Sequence, residues 1–295
     1  MILRDPVHGL VSFESAEEEV VPMLMDTPEV QRLRRIRQLG VASFAFPGAE
    51  HTRFSHAVGA AFVMKQLVAR LRGIHDALPF WQQLTTDRAR DALAAALLHD
   101  VGHGPLSHLF EDVLPGTAHH EEWTSRVILD PSTGVHQVLA RLDPAMPERV
   151  AALVHGEHPL AYLAKAVSGT FDVDRCDYLL RDAHSTGVRY GLFDLDWLLR
   201  SLRFAPAPPD RAPGLAIDGA KGLPAIEAHL VVAWRLAGDE PARRDADVVG
   251  RDRARRRAND ERKAQRGEGG AEVHGASPVV EGDSFAVTAP VAKDS

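Results

Sequence analysis

Residues 87–99 read DRARDALAAALLH, a run without glycine or proline that becomes apolar on every side from Ala92 onward. A helix with no polar face has to be surrounded, so this segment predicts the centre of a helical domain. His99-Asp100 follow at once, then Val101-Gly102-His103-Gly104-Pro105. An aspartate at the end of a buried helix is costly unless it is paired or holds a cation. The same run therefore demands a packed core and a charged site at its mouth. Eight of the fifteen histidines lie between His51 and His120, and neutral imidazole is the commonest metal ligand. If the helix continues to His103, His99 and His103 share a face one turn apart. Gly102 and Gly104 then permit close approach of a ligand or of another backbone.

The remaining pattern is also helical. Thr52–Leu71, His120–Leu129 and Val173–His184 read as helices, and Thr27-Pro28-Glu29 reads as a capped helix start carrying Val30, Leu33 and Ile36. Leu10–Phe13 has strand character and predicts a short N-terminal β-hairpin. Pro206–Pro213 predicts a loop before a last helix at Leu223–Leu236. Mostly α is the expected class, with a main domain over 1–205 and its loop and partial C-terminal helix over 206–236. From 237 to 295 there is no Leu, Ile or Met and one aromatic, Phe285, among eleven basic and twelve acidic residues. So little apolar surface cannot offset the entropy of ordering a chain, which predicts a charged, largely disordered tail.

Composition mainly excludes. A single cysteine, Cys176, cannot form an internal disulfide. No run of about 18 apolar residues predicts a membrane span, and MILRDPVHGL carries no signal-peptide core. The expected setting is the cytoplasm. A net charge of −7 argues against a dedicated nucleic-acid binder and leaves a local basic groove open.

A second cluster lies on Phe171–Asp182. Asp174, Asp177, Tyr178, Arg181 and Asp182 recur at helical spacing as one polar stripe, opposite Cys176, Leu179, Leu180 and Ala183. By itself such a stripe fits a solvated salt-bridged face equally well; beside a His-Asp pair it reads as the wall of a site. Leu97-Leu-His-Asp-Val-Gly-His103 is far more specific than a His-Asp dipeptide and resembles the signature of HD-domain phosphohydrolases.

The likeness extends along the chain. Asp5-Pro-Val-His-Gly9, Asp26-Thr-Pro28, Gln31-Arg-Leu-Arg34, Gln38-Leu-Gly40, Phe46-Pro-Gly48, His51-x-Arg-Phe-x-His56, His120-Glu121 and Asp172-x-Asp174-Arg-x-Asp-Tyr178 occur in order. Over roughly residues 3–236 the series resembles the deoxynucleoside triphosphate triphosphohydrolases. That resemblance implies an HD-domain helical bundle and one divalent ion held by His56, His99, Asp100 and Asp174. Mn, Fe, Mg and Zn all suit two imidazoles with two carboxylates. It implies His120, next to Glu121, as general acid; His119 is adjacent, and the His-Glu-x-x-Thr spacing selects His120. It places His103 and His108 on the α-phosphate, Arg53, Arg175 and Tyr178 on the triphosphate, and Gln38, Leu39 and Asp182 on the sugar. Asp26, Gln31 and Arg34 match positions that bind a regulatory nucleotide, and an ordinary charged helix face explains those three equally well.

The implied reaction is dNTP plus water giving deoxynucleoside and tripolyphosphate. The alternatives are another HD phosphohydrolase, a nucleotidase or phosphodiesterase, and a non-catalytic nucleotide-binding remnant. Family members continue past the equivalent of Leu236 with an aromatic-rich helix bearing a Tyr and a His-Lys pair, then with helices of the oligomer interface. Here a charged tail stands instead, in a chain with 29 Arg against 5 Lys. The expectation is a changed reading frame or a truncated gene model, with homo-oligomerisation depending on an intact C-terminal region.

Overall fold

The computed structural model describes residues 1–106, 118–169, 172–189, 191–207, 212–218, 222 and 286–288. Strands β1 (Ile2–Asp5) and β2 (Gly9–Ser12) form the N-terminal antiparallel hairpin, Ile2 opposite Ser12 and Asp5 opposite Gly9. Its turn is made by Asp5, whose Oδ1 accepts the backbone N–H groups of Val7 and His8 at 2.9 Å each, and by Gly9 at φ +73°, where only glycine is unstrained. Helices α1 (Val20–Met25) and α2 (Pro28–Arg32) follow; Pro28 stands in the first turn of the second as the sequence predicts, while the Thr27 hydroxyl before it donates back to the Leu24 carbonyl at 2.7 Å and does not cap α2.

The centre is α3 (Arg53–Arg72) against α4 (Thr86–Leu98). Thr52 and Ser55 close a reciprocal capping box on α3, satisfying two of its orphan donors. Ala92 through Leu98 on α4 are all buried, so the all-round apolar helix is surrounded as expected. Around the pair stand α5 (His120–Leu129), α6 (Gly134–Leu142), α7 (Met146–Val154), α8 (Ala161–Val167), α9 (Val173–Thr186) and α10 (Leu195–Arg200). The described residues are mostly α, a helical bundle with a short N-terminal hairpin, as expected. Helix α9 lies along α3, capped by Asp172, whose carboxylate accepts the Arg175 N–H at 2.8 Å, and ended by Gly187 at φ +78°. Cys176 is buried in the core, and that burial pushes its thiol pKa up.

Two further expectations are corrected. Helix α4 ends at Leu98 and does not run to His103. The chain passes through tight turns, Val101 N–H to the Leu98 carbonyl at 2.9 Å and His103 N–H to the Asp100 carbonyl at 3.1 Å. Pro206–Pro213 is no simple loop: β3 (Leu202–Ala207) and β4 (Ala212–Asp218) pair antiparallel with Pro206 opposite Pro213. Proline is tolerated there because β3 is the edge of its sheet and Pro213 stands near the start of β4. Within the charged C-terminal segment, β5 (Ala286–Thr288) adds parallel to β4. The rest of the tail, and the expected helix at Leu223–Leu236, lie outside the described residues. No described helix is long and apolar enough to cross a membrane.

Candidate metal centre

Three elements converge. His56 comes from the first turns of α3, His99 and Asp100 from the end of α4, and Asp174 from the first turn of α9. His56 Nε2 lies 3.1 Å from His99 Nε2 and 2.9 Å from Asp174 Oδ1, and His99 Nε2 lies 3.4 Å from the same oxygen. Asp100 is close on the other side, 3.7 Å from His56 and 3.6 Å from His99. His56, His99 and Asp174 therefore form one compact cluster, and Asp100 borders it while grouping with His103 and His120.

Hydrogen bonds at the far ring nitrogens fix what faces that volume. His56 Nδ1 donates to Asp177 Oδ2 at 2.8 Å, and His99 Nδ1 donates to the Ala96 carbonyl at 2.9 Å. Each ring then presents the lone pair of its Nε2 to the other ring and to carboxylate oxygens. Lone pairs and anions so close together repel unless a proton or a cation sits among them. Imidazole nitrogens and carboxylate oxygens are donors suited to a divalent ion, so the residues fit the group the family resemblance implies.

The electrostatics agree. Burial opposes a charged His56, but hydrogen bonds to Asp174 and Asp177 outweigh it and raise its pKa to about 10. His99 is also raised, Asp100 and Asp174 overcoming its burial. Asp174 is held far below the usual carboxylate range by the two histidines despite burial. Asp100 is held low, against burial, by Arg53 and His99. A site this negative takes up a proton when it lacks a metal, and metal binding displaces it.

Beside the ligands lies a second group. Arg53 is salt-bridged to Asp100, and His103 Nε2 is 3.3 Å from the other Asp100 oxygen. The His103 ring stacks on His120, centroids 3.9 Å apart. Burial lowers the His103 pKa to about 4 although Asp100 pulls the other way, so a neutral ring lies under His120. The close approach of α5 depends on Gly102, where a Cβ would fall 2.2 Å from the His120 carbonyl oxygen and 2.3 Å from the Thr124 nitrogen. Thr124 Oγ1 ties the two segments, accepting from Gly102 N–H at 2.9 Å and donating to the His99 carbonyl at 3.1 Å. Arg32 clamps the turn from outside, donating to the carbonyls of Val101 at 2.5 Å and His103 at 2.8 Å.

The other candidates sort by position. Tyr178 has its ring centroid 6.5 Å from that of His56. Arg175, one residue beyond Asp174, is half-buried. Asp182 pairs with His51 at 2.8 Å, and the His51 carbonyl accepts the Gln38 N–H at 3.0 Å. The Asp182 carboxylate and the Gln38 backbone thus both meet His51, a residue the sequence left without a role, and Leu39 is half-buried. Glu121 is exposed on the first turn of α5, and His108 lies outside the described residues. Gln31 donates to the Met25 carbonyl and accepts from Arg34, whose guanidinium covers the Phe54 ring at 3.5 Å; Asp26 ends α1, exposed.

Sequence reasoning assigned no role to Asp177, Arg181, Asp5 or His8. Asp177 and Arg181 were on the predicted polar stripe, yet both are fully buried, and the turn that meets them starts over 170 positions earlier. Asp5-Pro-Val-His-Gly9 was the available signal.

Residues 53–182 match the HD domain family, and the metal-ligand candidates all fall inside that segment. The chain is 36% identical over 252 residues to the uncharacterized protein YwfO of Bacillus subtilis, covering 84% of this chain and 54% of that one. It is 30% identical over 242 residues to the deoxynucleoside triphosphate triphosphohydrolase SAMHD1 of Gallus gallus, covering 70% and 37%. A crystal structure of a phosphohydrolase from Bacteroides thetaiotaomicron superposes with a TM-score of 0.65 at 32% identity, covering 80% of this chain and 53% of that one. This chain spans about half the length of the curated relatives it matches.

Proposed function

We propose that this chain, whose residues 53–182 match the HD domain family, is a metal-dependent phosphohydrolase that converts a dNTP and water to a deoxynucleoside and tripolyphosphate. The observation that carries the reading is the convergence of His56 Nε2, His99 Nε2 and Asp174 Oδ1 within 3.4 Å of one another, with Asp100 beside them. A divalent cation held by these four residues supplies Lewis acidity toward a phosphoryl oxygen and toward water.

The chain's own groups supply the rest. Arg53 and Arg175 face the charge of the triphosphate, fixed cationic donors that need no reorganisation as negative charge develops. Tyr178 offers a phenol donor on the same helix as Asp174. Water adds to the α-phosphorus, the bond from that phosphorus to the 5′ oxygen breaks, and His120 delivers a proton to the departing oxygen. Neutral His103 beneath it adds no competing positive charge. Gln38, Leu39 and Asp182 receive the sugar. Deoxynucleoside triphosphate specificity is supported by the similarity to triphosphohydrolases so named. In this reading residues 1–205 carry the chemistry in a cytoplasmic nucleotide-pool enzyme, the region 206–236 continues the domain, and 237–295 takes no part. Regulation by a nucleotide at Asp26, Gln31 and Arg34, and self-association, belong to the same proposal.

The test is to incubate purified protein and Mn²⁺ with each dNTP and resolve the phosphate products. Tripolyphosphate supports the reading. Orthophosphate assigns a phosphomonoesterase instead, and nucleotide binding without turnover assigns a non-catalytic binder.

A further inference from the structure

Behind His56 lies a set of buried charged groups that no step above uses. Asp177 is wholly buried, and its two oxygens each accept two hydrogen bonds. Oδ2 accepts from His56 Nδ1 and Arg181 Nε, both at 2.8 Å; Oδ1 accepts from His8 Nε2 at 2.6 Å and Arg181 Nη2 at 2.8 Å. A carboxylate has about four acceptor positions, so this one is filled. Arg181, only 1% exposed, spends its remaining nitrogen on Asp5 Oδ2 at 2.9 Å. Asp5 in turn shapes the hairpin turn that carries His8. The chain of contacts runs from the N-terminal turn, through α9, to one imidazole of the metal centre.

We propose that Asp177 is a positioning residue. It holds the proton of His56 on Nδ1, aims Nε2 at the metal, and is itself locked by Arg181, His8 and the Asp5 turn. The inference rests on the metal-centre reading but not on any choice of substrate. Three features argue for position over mere charge balance. The bond to His56 is directional and joins the nitrogen opposite the one that faces His99 and Asp174. The carboxylate cannot rotate, because both its oxygens are gripped by one guanidinium. Gly59 on α3 leaves the necessary room: a Cβ there would fall 1.9 Å from Asp177 Oδ1 and 2.3 Å from Arg181 Nη2. Among the described residues, His99 Nδ1 meets the Ala96 carbonyl of its own helix at 2.9 Å, whereas the ring of His56 is oriented by this network.

Carboxylates that hold a ligating histidine commonly matter by about 10- to 100-fold in metal affinity. The experiment measures Mn²⁺ affinity calorimetrically on the full chain, as wild type, as Asp177→Asn, and as Asp177→Leu with Arg181→Met. The double variant removes the carboxylate without stranding a buried guanidinium. Unfolding of the chelator-treated proteins is followed in parallel. The expected result is about 10- to 100-fold weaker binding in a double variant that still folds, with Asp177→Asn between it and wild type because an amide oxygen can still accept from Nδ1. A folded double variant that binds Mn²⁺ within about threefold of wild type overturns the proposal. Should the double variant not fold, side-chain ¹⁵N NMR of Zn²⁺-loaded wild type decides. His56 should show a protonated, hydrogen-bonded Nδ1 and a coordinated Nε2; the reverse tautomer overturns the proposal. Wild type that takes up no metal defeats the metal-centre reading itself, while metal uptake without dNTP turnover leaves this inference standing.

Discussion

Two buried aspartates, Asp91 and Asp177, are each gripped at both oxygens by a single arginine, and only one of them reaches the metal centre. On α4, Asp91 is 2% exposed and accepts from Arg149 on α7 at 2.6 and 3.2 Å; Arg149 also reaches Asp143 at 2.9 Å. On α9, Asp177 is gripped by Arg181 in much the same two-pronged way, but its oxygens also hold His56 and His8. The charge content is alike and the surroundings differ. Burial raises the Asp91 pKa even with Arg149 beside it, so that carboxylate is ionised at a cost and does no more than join two helices. Asp177 is held well below the usual carboxylate range because Arg181, His56 and His8 together overcome the same burial. A buried ion pair is therefore weak evidence of function. What the carboxylate touches besides its arginine is the stronger evidence.

The sharpest way to break this contrast is at the metal ligands. His99→Ala with Asp100→Ala removes two of four donors and the salt-bridge partner of Arg53, and should abolish metal uptake and turnover. Retained hydrolysis would mean that the centre lies elsewhere. Next in size, Asp91→Ala leaves half-exposed Arg149 with Asp143 alone and should cost about 1.5 to 3 kcal/mol in denaturant unfolding, while the Mn²⁺ affinity of the folded fraction stays unchanged. A matching loss of metal affinity would show that the two pairs are not separate systems.

The difference between the pairs also marks what could be read without coordinates. Asp177 and Arg181 are four positions apart on one helix, and their placement on a stripe with Asp174 follows from helical spacing. That the stripe is buried does not follow, since spacing tells a polar face apart without saying what covers it. The cover is the turn Asp5–Gly9, brought there by the hairpin, and its link from His8 to Asp177 spans 169 positions. The helices were legible because their signals are local: Thr52 and Ser55 cap α3, Thr27-Pro28 opens α2, and α5 begins at His120 as the pattern predicts. The end of α4 was misread because Gly102 and Gly104 are compatible both with a continuing helix and with the turns that replace it. The paired strands around Pro206 and Pro213 were misread because four prolines in eight residues read as a loop, although Pro206 lies on the edge strand β3 and Pro213 near the start of β4.

A smaller effect tests the front of the site against its back. Gly102→Ala would drive a Cβ into the backbone of α5 at His120 and Thr124, which cannot yield as a flexible side chain would. Overpacking of this kind costs about 1 to 3 kcal/mol and should displace the His103–His120 stack more than the ligands. The expected outcome is a fall of about tenfold or more in kcat with Mn²⁺ affinity retained, opposite to the pattern expected when Asp177 is replaced. Loss of both together would show that α5 braces the ligands as well.

The smallest effect is a pH dependence at His103. Its pKa is about 4 in the folded chain, below the ordinary value near 6.5. Between those values the unfolded chain holds a proton that the folded chain does not. Stability then rises with pH across the window and is lost as pH falls from about 6.5 to 4. The full shift corresponds to about 3 kcal/mol, and sharing of the proton with Asp100 reduces what one substitution recovers. His103→Gln keeps a polar group facing Asp100 without a titrating ring. In chelator-treated protein it should flatten the acid side of the stability profile by about 2 kcal/mol relative to wild type. Asp91→Ala should not flatten it: burial raises the Asp91 carboxyl and Asp91 holds up the pKa of His158, so its removal steepens the acid side instead. If both substitutions flatten the profile equally, the acid sensitivity belongs to the bundle as a whole and not to the stacked pair beside the ligands.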